Sequence, residues 1–385
     1  MPSYRLPISC IPNKNPNMKT ESHTSSLALS LLRHSCLPSE SFVLSPFSLC
    51  TALSILHDGA DGTTQEELTK LLLNRTPDEV TQFYSSLALS LPSTSENGVL
   101  LKSATRFFVD DSISLKKEFQ KDIEDKYHVK VGNLKLSCKV DAANEMNAFV
   151  EEATDGKIKD SIQAETISDG AKAYLINAIY LLGKWSTPFD LHDTHKRIFN
   201  GHSGSREMDF MKKAGYFHVH EKNNFGTALL LGYDDKKHLQ SRFNFFFLMP
   251  KKSSNLEKMR NKITGDDLLN ILKKAKLRYN EITVPKIKIE SKLNGIDFLK
   301  KLGVNTIFNQ DADFSKISDS PLFVSKIIHS TIIETDEFGT EAASSTEVEM
   351  MLTGGCIVRT PIIFDRPFLF GILDNDHIIF IGQFV

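Results

Sequence analysis

The chain lacks an ordered cysteine pattern: Cys10, Cys36, Cys50, Cys138 and Cys356 are odd in number and never stand in C-x-x-C spacing. That argues against a disulfide framework or a zinc site and favours free thiols in a reducing compartment. No run reaches the roughly 20 apolar residues a membrane helix needs. The first twenty residues carry Pro2, Pro7, Pro12 and Pro16 and no apolar core of a secretory leader. The expectation is a cytoplasmic protein, with leaderless export to the outside as the alternative. An excess of one charge is missing too, since 46 Lys and Arg balance 48 Asp and Glu. Neither nucleic acid nor a membrane is announced as a partner. The densest basic stretch, Lys273-Lys274-Ala275-Lys276-Leu277-Arg278, reads as a solvated face, with polyanion contact as its functional alternative. Enzymatic signatures are also absent. Gly201-His202-Ser203-Gly204-Ser205 imitates a nucleophile elbow, but its second glycine comes one place early. GxGxxG, the phosphate loop and HExxH do not occur. His218-Val219-His220 sets two imidazoles on one face of a strand, which reads as a surface pair unless a metal uses it. No cofactor is implied.

Helical patterns dominate from Ser25 to about Thr154, after an N-terminal extension over 1–24 expected to be disordered. Pro46, followed by Phe47, Leu49, Cys50, Ala52, Leu53 and Ile55, predicts a buried helix opened by proline in its first turn. Val140 to Glu152 predicts an amphipathic helix stopped at Gly156. Ala173 to Leu182 is almost wholly apolar, as a strand buried on both faces must be. Later strands are expected at Phe243 to Met249, Ile282 to Ile289, Phe323 to Glu334, Phe368 to Leu373 and Ile378 to Phe384. A short helix is expected between Asn294-Gly295 and Leu302-Gly303. Helices first and strands later, without a βαβ rhythm, indicate α+β. No linker or internal repeat divides the chain.

The stretch Gly339-Thr340-Glu341-Ala342-Ala343-Ser344-Ser345-Thr346 follows the strand-like Ile327 to Glu334, and its character changes with a period of two. Thr340, Ala342, Ser344, Thr346, Val348, Met350 and Leu352 are uncharged, while Glu341, Glu347 and Glu349 hold every charge between them. Such alternation suits a strand with one buried face and its carboxylates in water. Gly339, Gly354 and Gly355 bound it, and its start is too polar to nucleate a strand alone. It reads as a loop able to become a strand.

The run Glu337-Phe338-Gly339-Thr340-Glu341-Ala342-Ala343 resembles the hinge of inhibitory serpins, protease inhibitors that trap their target by inserting a cleaved loop into a sheet. Further serpin-like runs occur in the family's order: Phe42 to Ser48, Asn177 to Tyr180 with Gly183-Lys184-Trp185, Val284-Pro285-Lys286, and Asp365 to Phe370. Together they cover about Ser25 to Val385. The resemblance implies one α+β domain over 25–385 with three β-sheets, about nine helices and an exposed reactive loop at about 337–362. It also implies that Glu337 and Lys286, with Trp185 beside them, close the upper gap of the main sheet, and that Ser45, Ser48, Asn177 and His329 form the polar cluster where its strands part. Phe338 is a departure, since many inhibitory members carry a charged residue there.

By the family's count the target residue is the seventeenth from Glu337, so the expected reactive bond is Thr353–Gly354, with Leu352–Thr353 as the alternative. Counting back from Pro367 lands near Cys356, which makes the loop three residues longer than is common, and the excess is assigned to the far side of the cut. Leu352 or Thr353 would suit a chymotrypsin- or elastase-like serine protease, and Leu352 also a papain-like cysteine protease. The implied function is suicide inhibition by a monomer. The competing class is a non-inhibitory serpin acting as carrier, storage protein or chaperone.

Overall fold

The computed structural model describes residues 16–90, 99–234, 241–340 and 360–385. Among them lie helices α1 (Pro16–Ser35), α2 (Pro46–Gly59), α3 (Gly62–Leu72), α4 (Pro77–Ser90), α5 (Lys117–Tyr127), α6 (Lys139–Ala153), α7 (Leu256–Lys262), α8 (Gly265–Lys273) and α9 (Gly295–Lys301). The first strands are β1 (Phe42–Leu44), β2 (Val99–Asp110), β3 (Lys130–Leu134), β4 (Ala173–Lys184), β5 (Thr194–Gly201), β6 (Gly204–His220), β7 (Gly226–Gly232) and β8 (Phe243–Pro250). The remainder are β9 (Lys276–Pro285), β10 (Lys288–Asn294), β11 (Lys326–Glu334), β12 (Gly339–Thr340), β13 (Ile362–Ile363), β14 (Phe368–Asp374) and β15 (His377–Phe384).

The main sheet runs β10-β11-β4-β2-β3, with β12 added on β4. Where three sheets are expected, hydrogen bonding joins the remaining two into one net, β1-β15-β14-β8-β7-β6-β9-β13 with β5 on β6. The join is β6 itself, 17 residues long: it pairs with β5 from Gly204 to Met211 and with β7 from His218 to His220. β9 runs along its other edge from Phe210 to Val219.

Local chemistry explains the key elements. Ser45 caps α2 by accepting a hydrogen bond from the Ser48 N–H at 3.1 Å, and Pro46 occupies the first turn, where its missing N–H goes unneeded. α6 exceeds its expected span by one residue at each end. Asn147 on α6 ties down the following loop, donating to the Ile162 carbonyl and accepting from the Ile162 N–H, both at 2.8 Å. Both faces of β4 are buried: Ile179 and Leu181 face the second sheet, while Tyr174, Ile176, Ala178 and Tyr180 lie beneath α6.

Three expectations change. β2 lies within the stretch expected to be helical, its polar middle Lys102-Ser103-Ala104-Thr105-Arg106 having hidden the strand pattern. The run Ile282 to Ile289 is two strands in different sheets, β9 ending at Pro285, which has no N–H for a ladder. α1 begins at Pro16, so the boundary drawn at Ser25 falls inside a helix.

One pairing positions everything that follows. β11 and β4 are parallel direct neighbours, with Lys326 opposite Tyr174 through Ile332 opposite Tyr180.

Candidate functional site

At the top of that pair the chain reverses. Past β11 the Asp336 carboxylate accepts from the Phe338 and Gly339 N–H groups at 2.8 and 3.0 Å, and the Asp336 N–H donates to the Gly339 carbonyl at 2.8 Å. Burial raises the pKa of Asp336 above the usual value, against the lowering effect of those two bonds. The returning residues form β12, antiparallel to β4, with Gly339 opposite Lys184 and Thr340 opposite Gly183. Thr340 also bridges Thr335 on the β11 side. Thus the first two hinge residues already lie within the main sheet. A Cβ on Gly339 would stand 1.9 Å from the Gly183 carbonyl oxygen, so no larger residue passes here without moving β4.

Thr340 is 1% exposed and its side chain points toward the second sheet, where Oγ1 lies 2.5 Å from the Tyr233 hydroxyl. Tyr233 stacks on Trp185 with ring centroids 4.9 Å apart. Trp185 in turn holds the turn by its backbone, its N–H donating to the Phe338 carbonyl at 2.8 Å and Nε1 to the Asp336 carbonyl at 2.9 Å. Phe338, the departure from the family pattern, is half-buried and contributes that carbonyl.

Glu337 meets Lys286 with Nζ to Oε1 at 2.7 Å, and the Thr194 hydroxyl donates to the same oxygen at 2.6 Å. Burial opposes the charge on Glu337, but the bonds from Lys286 and Thr194 outweigh it and hold its pKa below the usual glutamate value. The break between β9 and β10 delivers Lys286 to this point, its own N–H donating to the Asp209 carbonyl.

Lower in the sheet, His329 on β11 and Asn177 on β4 stand opposite each other. The Ser45 N–H donates to His329 Nε2 at 3.0 Å, so the proton sits on Nδ1, which donates to Asn177 Oδ1 at 2.6 Å. Ser48 also donates to Asn177 Oδ1, at 2.8 Å, and the Asn177 amide donates to the Thr105 hydroxyl at 2.8 Å. Burial pushes the His329 pKa down to about 3. A second proton on Nε2 would face the Ser45 N–H, another donor, and could turn only to the Thr331 hydroxyl 2.8 Å away.

A pH dependence follows. The unfolded chain binds a proton below about pH 6.5 that the folded cluster refuses until near pH 3. Stability from this group is full above that range and falls by roughly 1.4 kcal/mol per pH unit as the pH drops through it. The advantage of the wild type over His329→Gln in thermal midpoint is expected to shrink by about 3 °C between pH 7.5 and 5. An identical pH response in the two proteins would remove His329 from the account.

The structure thus brings Glu337, Lys286 and Trp185 together, and likewise Ser45, Ser48, Asn177 and His329. Glu341, Ala342, Ala343, Ser344, Ser345, Thr346, Leu352, Thr353 and Gly354 lie outside the described residues. Asp336, Thr194 and Tyr233 were missed. The Asp-x-x-Gly spacing of Asp336 and Gly339 was a readable turn signal; Tyr233, 107 residues from Thr340, carried none. Of the histidine pair, His220 has ring nitrogens 3.1 and 3.2 Å from the Ile271 and Lys222 carbonyl oxygens. In the basic stretch, Lys273 is paired with Glu21 and Asp376.

Comparison with known proteins agrees with this geometry. A family model described as Serpin (serine protease inhibitor) matches residues 22–385. An antitrypsin of Bombyx mori is 30% identical over 353 residues, covering 90% of this chain and 88% of its own. Serpin-Z1C of Triticum aestivum is 30% identical over 367 residues, covering 89% of each. The native thermophilic serpin tengpin superposes with a TM-score of 0.85 at 25% identity, covering 97% of this chain and 95% of its own. Human thyroxine-binding globulin complexed with thyroxine reaches 0.85 at 24% identity, covering 95% and 97%, a likeness of fold alone. Matched by the family model over nearly its whole length, the chain belongs to the serpin family.

Proposed function

We propose that the chain is an inhibitory serpin, a monomeric suicide substrate that traps a protease by inserting its cleaved loop between β4 and β11. Serpins are generally protease inhibitors and not catalytic enzymes, and the inhibitory reading of this member rests on one observation. Thr340 already occupies the place where an inserted strand would begin, paired with Gly183 on one side and Thr335 on the other.

Continuing that ladder defines the inserted register. Six residues further along each strand, Thr346 would fall between Asn177 and His329, which already face each other in the β4–β11 pairing. Its hydroxyl can accept from His329 Nδ1 and donate to Asn177 Oδ1, replacing their 2.6 Å bond without leaving either group unpaired. The polar cluster is therefore compatible with both the closed and the opened sheet.

A target protease would cut at Thr353–Gly354, or at Leu352–Thr353, and would be held as its acyl-enzyme while the freed segment enters the sheet. Leu352 and Thr353 favour a chymotrypsin- or elastase-like serine protease, with a papain-like cysteine protease as the other class. Mixing the protein with a panel of such proteases is expected to give a covalent complex on a denaturing gel, with a released C-terminal fragment beginning at Gly354 or Thr353. Clean cleavage without a complex across the panel would favour a non-inhibitory carrier or storage role.

A further inference from the structure

We propose that the Tyr233 hydroxyl is a latch holding Thr340 in the sheet of the uncleaved chain, which makes Tyr233 a positioning residue for loop insertion. The consequence for trapping rests on the inhibitory reading above; the latch itself does not.

Tyr233 is fixed in every respect except its hydroxyl. Its ring stacks on Trp185, its N–H donates to the Phe243 carbonyl at 3.0 Å, and its backbone bridges Trp185. Gly183 leaves room for the ring, since a Cβ there would come within 2.6 Å of Cδ1. With the residue 1% exposed, the hydroxyl is cut off from water, and its hydrogen-bond partner is Thr340 Oγ1. One hydrogen bond satisfies two buried hydroxyls, one of them on a rigid aromatic anchor and the other on the first inserting residue.

If Thr340 left the sheet, the Tyr233 hydroxyl would lose that partner and only water drawn into the vacated place could satisfy it, which forfeits the net gain of the hydrogen bond. The latch therefore favours the state in which the first ladder pairs exist before cleavage. Starting a new strand is the slow part of its formation, because chain order is lost before contacts accumulate. A pre-paired Thr340 removes that delay, and insertion races hydrolysis of the acyl-enzyme from a formed nucleus. Burial also pushes the Tyr233 phenol far above its usual pKa, against the lowering effect of its bond to Thr340, so the group remains a neutral donor and acceptor at physiological pH.

The test separates latch from consequence. Amide hydrogen exchange at Gly339 and Thr340 reads the latch directly: both should be protected in the wild type and exchange about tenfold faster in Tyr233→Phe, which removes one oxygen and keeps the stack on Trp185. Thr340→Val should behave like Tyr233→Phe. The double variant should recover much of the protection, because removing both polar partners leaves neither unsatisfied. Against a protease that the wild type traps, Tyr233→Phe should consume about threefold more inhibitor per protease trapped, with the global melting midpoint within about 2 °C of wild type. Wild-type exchange rates in Tyr233→Phe, or unprotected Gly339 and Thr340 amides in the wild type, would overturn the latch. Faster exchange with unchanged stoichiometry would overturn its role in trapping. Absence of any covalent complex in the wild type would sink the inhibitory reading, while exchange would still decide the latch.

Discussion

Thr340→Arg is expected to turn the proposed inhibitor into a substrate: proteases still cleave the loop, but the covalent complex falls by at least about tenfold. The site explains the size of the effect. Thr340 is buried between β4 and Thr335, and its side chain ends against the Tyr233 hydroxyl. A guanidinium there could not be solvated without pulling β12 out of the sheet, so the first step of the proposed insertion would be blocked before and after cleavage. The proposed cleavage site lies 12 or more residues further along the sequence and is unchanged by the substitution. Complex formation at the wild-type stoichiometry would show that insertion does not begin at Thr340.

Nicking the loop between Val348 and Gly355 is expected to raise the thermal midpoint by about 10 °C or more. In the intact chain β4 and β11 share a parallel ladder from Lys326 to Ile332. An inserted strand would replace it with two antiparallel ladders, the stronger pairing, and bury its uncharged face against the second sheet. A gain of roughly 8 kcal/mol, less than a dozen new hydrogen bonds supply before the cost of ordering, is enough for such a shift. Scanning calorimetry of nicked and intact protein checks it, and an unchanged or lower midpoint would favour the non-inhibitory class.

What could be read from sequence depended on whether the signal was local. The α2 start at Ser45-Pro46 and the unbroken apolar run of β4 were readable because caps and burial leave their mark on neighbouring residues. The alternation from Thr340 was readable for the same reason, and the side chain of Thr340 does point inward. Pro285 was a local signal that was overlooked, although a proline argues against an uninterrupted central strand. The partners were not readable from local pattern. Glu337 and Lys286, or Asn177 and His329, meet only through strand pairing across long stretches of chain, and their grouping came from family resemblance. Tyr233 has neither a local pattern nor a place in any of the serpin-like runs.

The helix over the main sheet has a consequence for timing. α6 covers the outward face of β4 with Ala142, Ala143, Met146 and Val150, above Tyr174, Ile176 and Ala178. In the register begun by Thr340, Glu347 would come opposite Ile176 and Glu349 opposite Tyr174, so these carboxylates meet the apolar underside of a helix instead of the open water that alternation alone suggests. The upper half of the strand could close quickly, and the lower half must wait for α6 to lift. Lys326 would stand level with Glu349; its amine donates to the Thr166 hydroxyl at 3.0 Å and could neutralise the second charge on arrival. Under the proposed inhibition α6 would be a clock running against water: a target whose acyl-enzyme hydrolyses faster than the helix yields would escape, and a slower one would be caught.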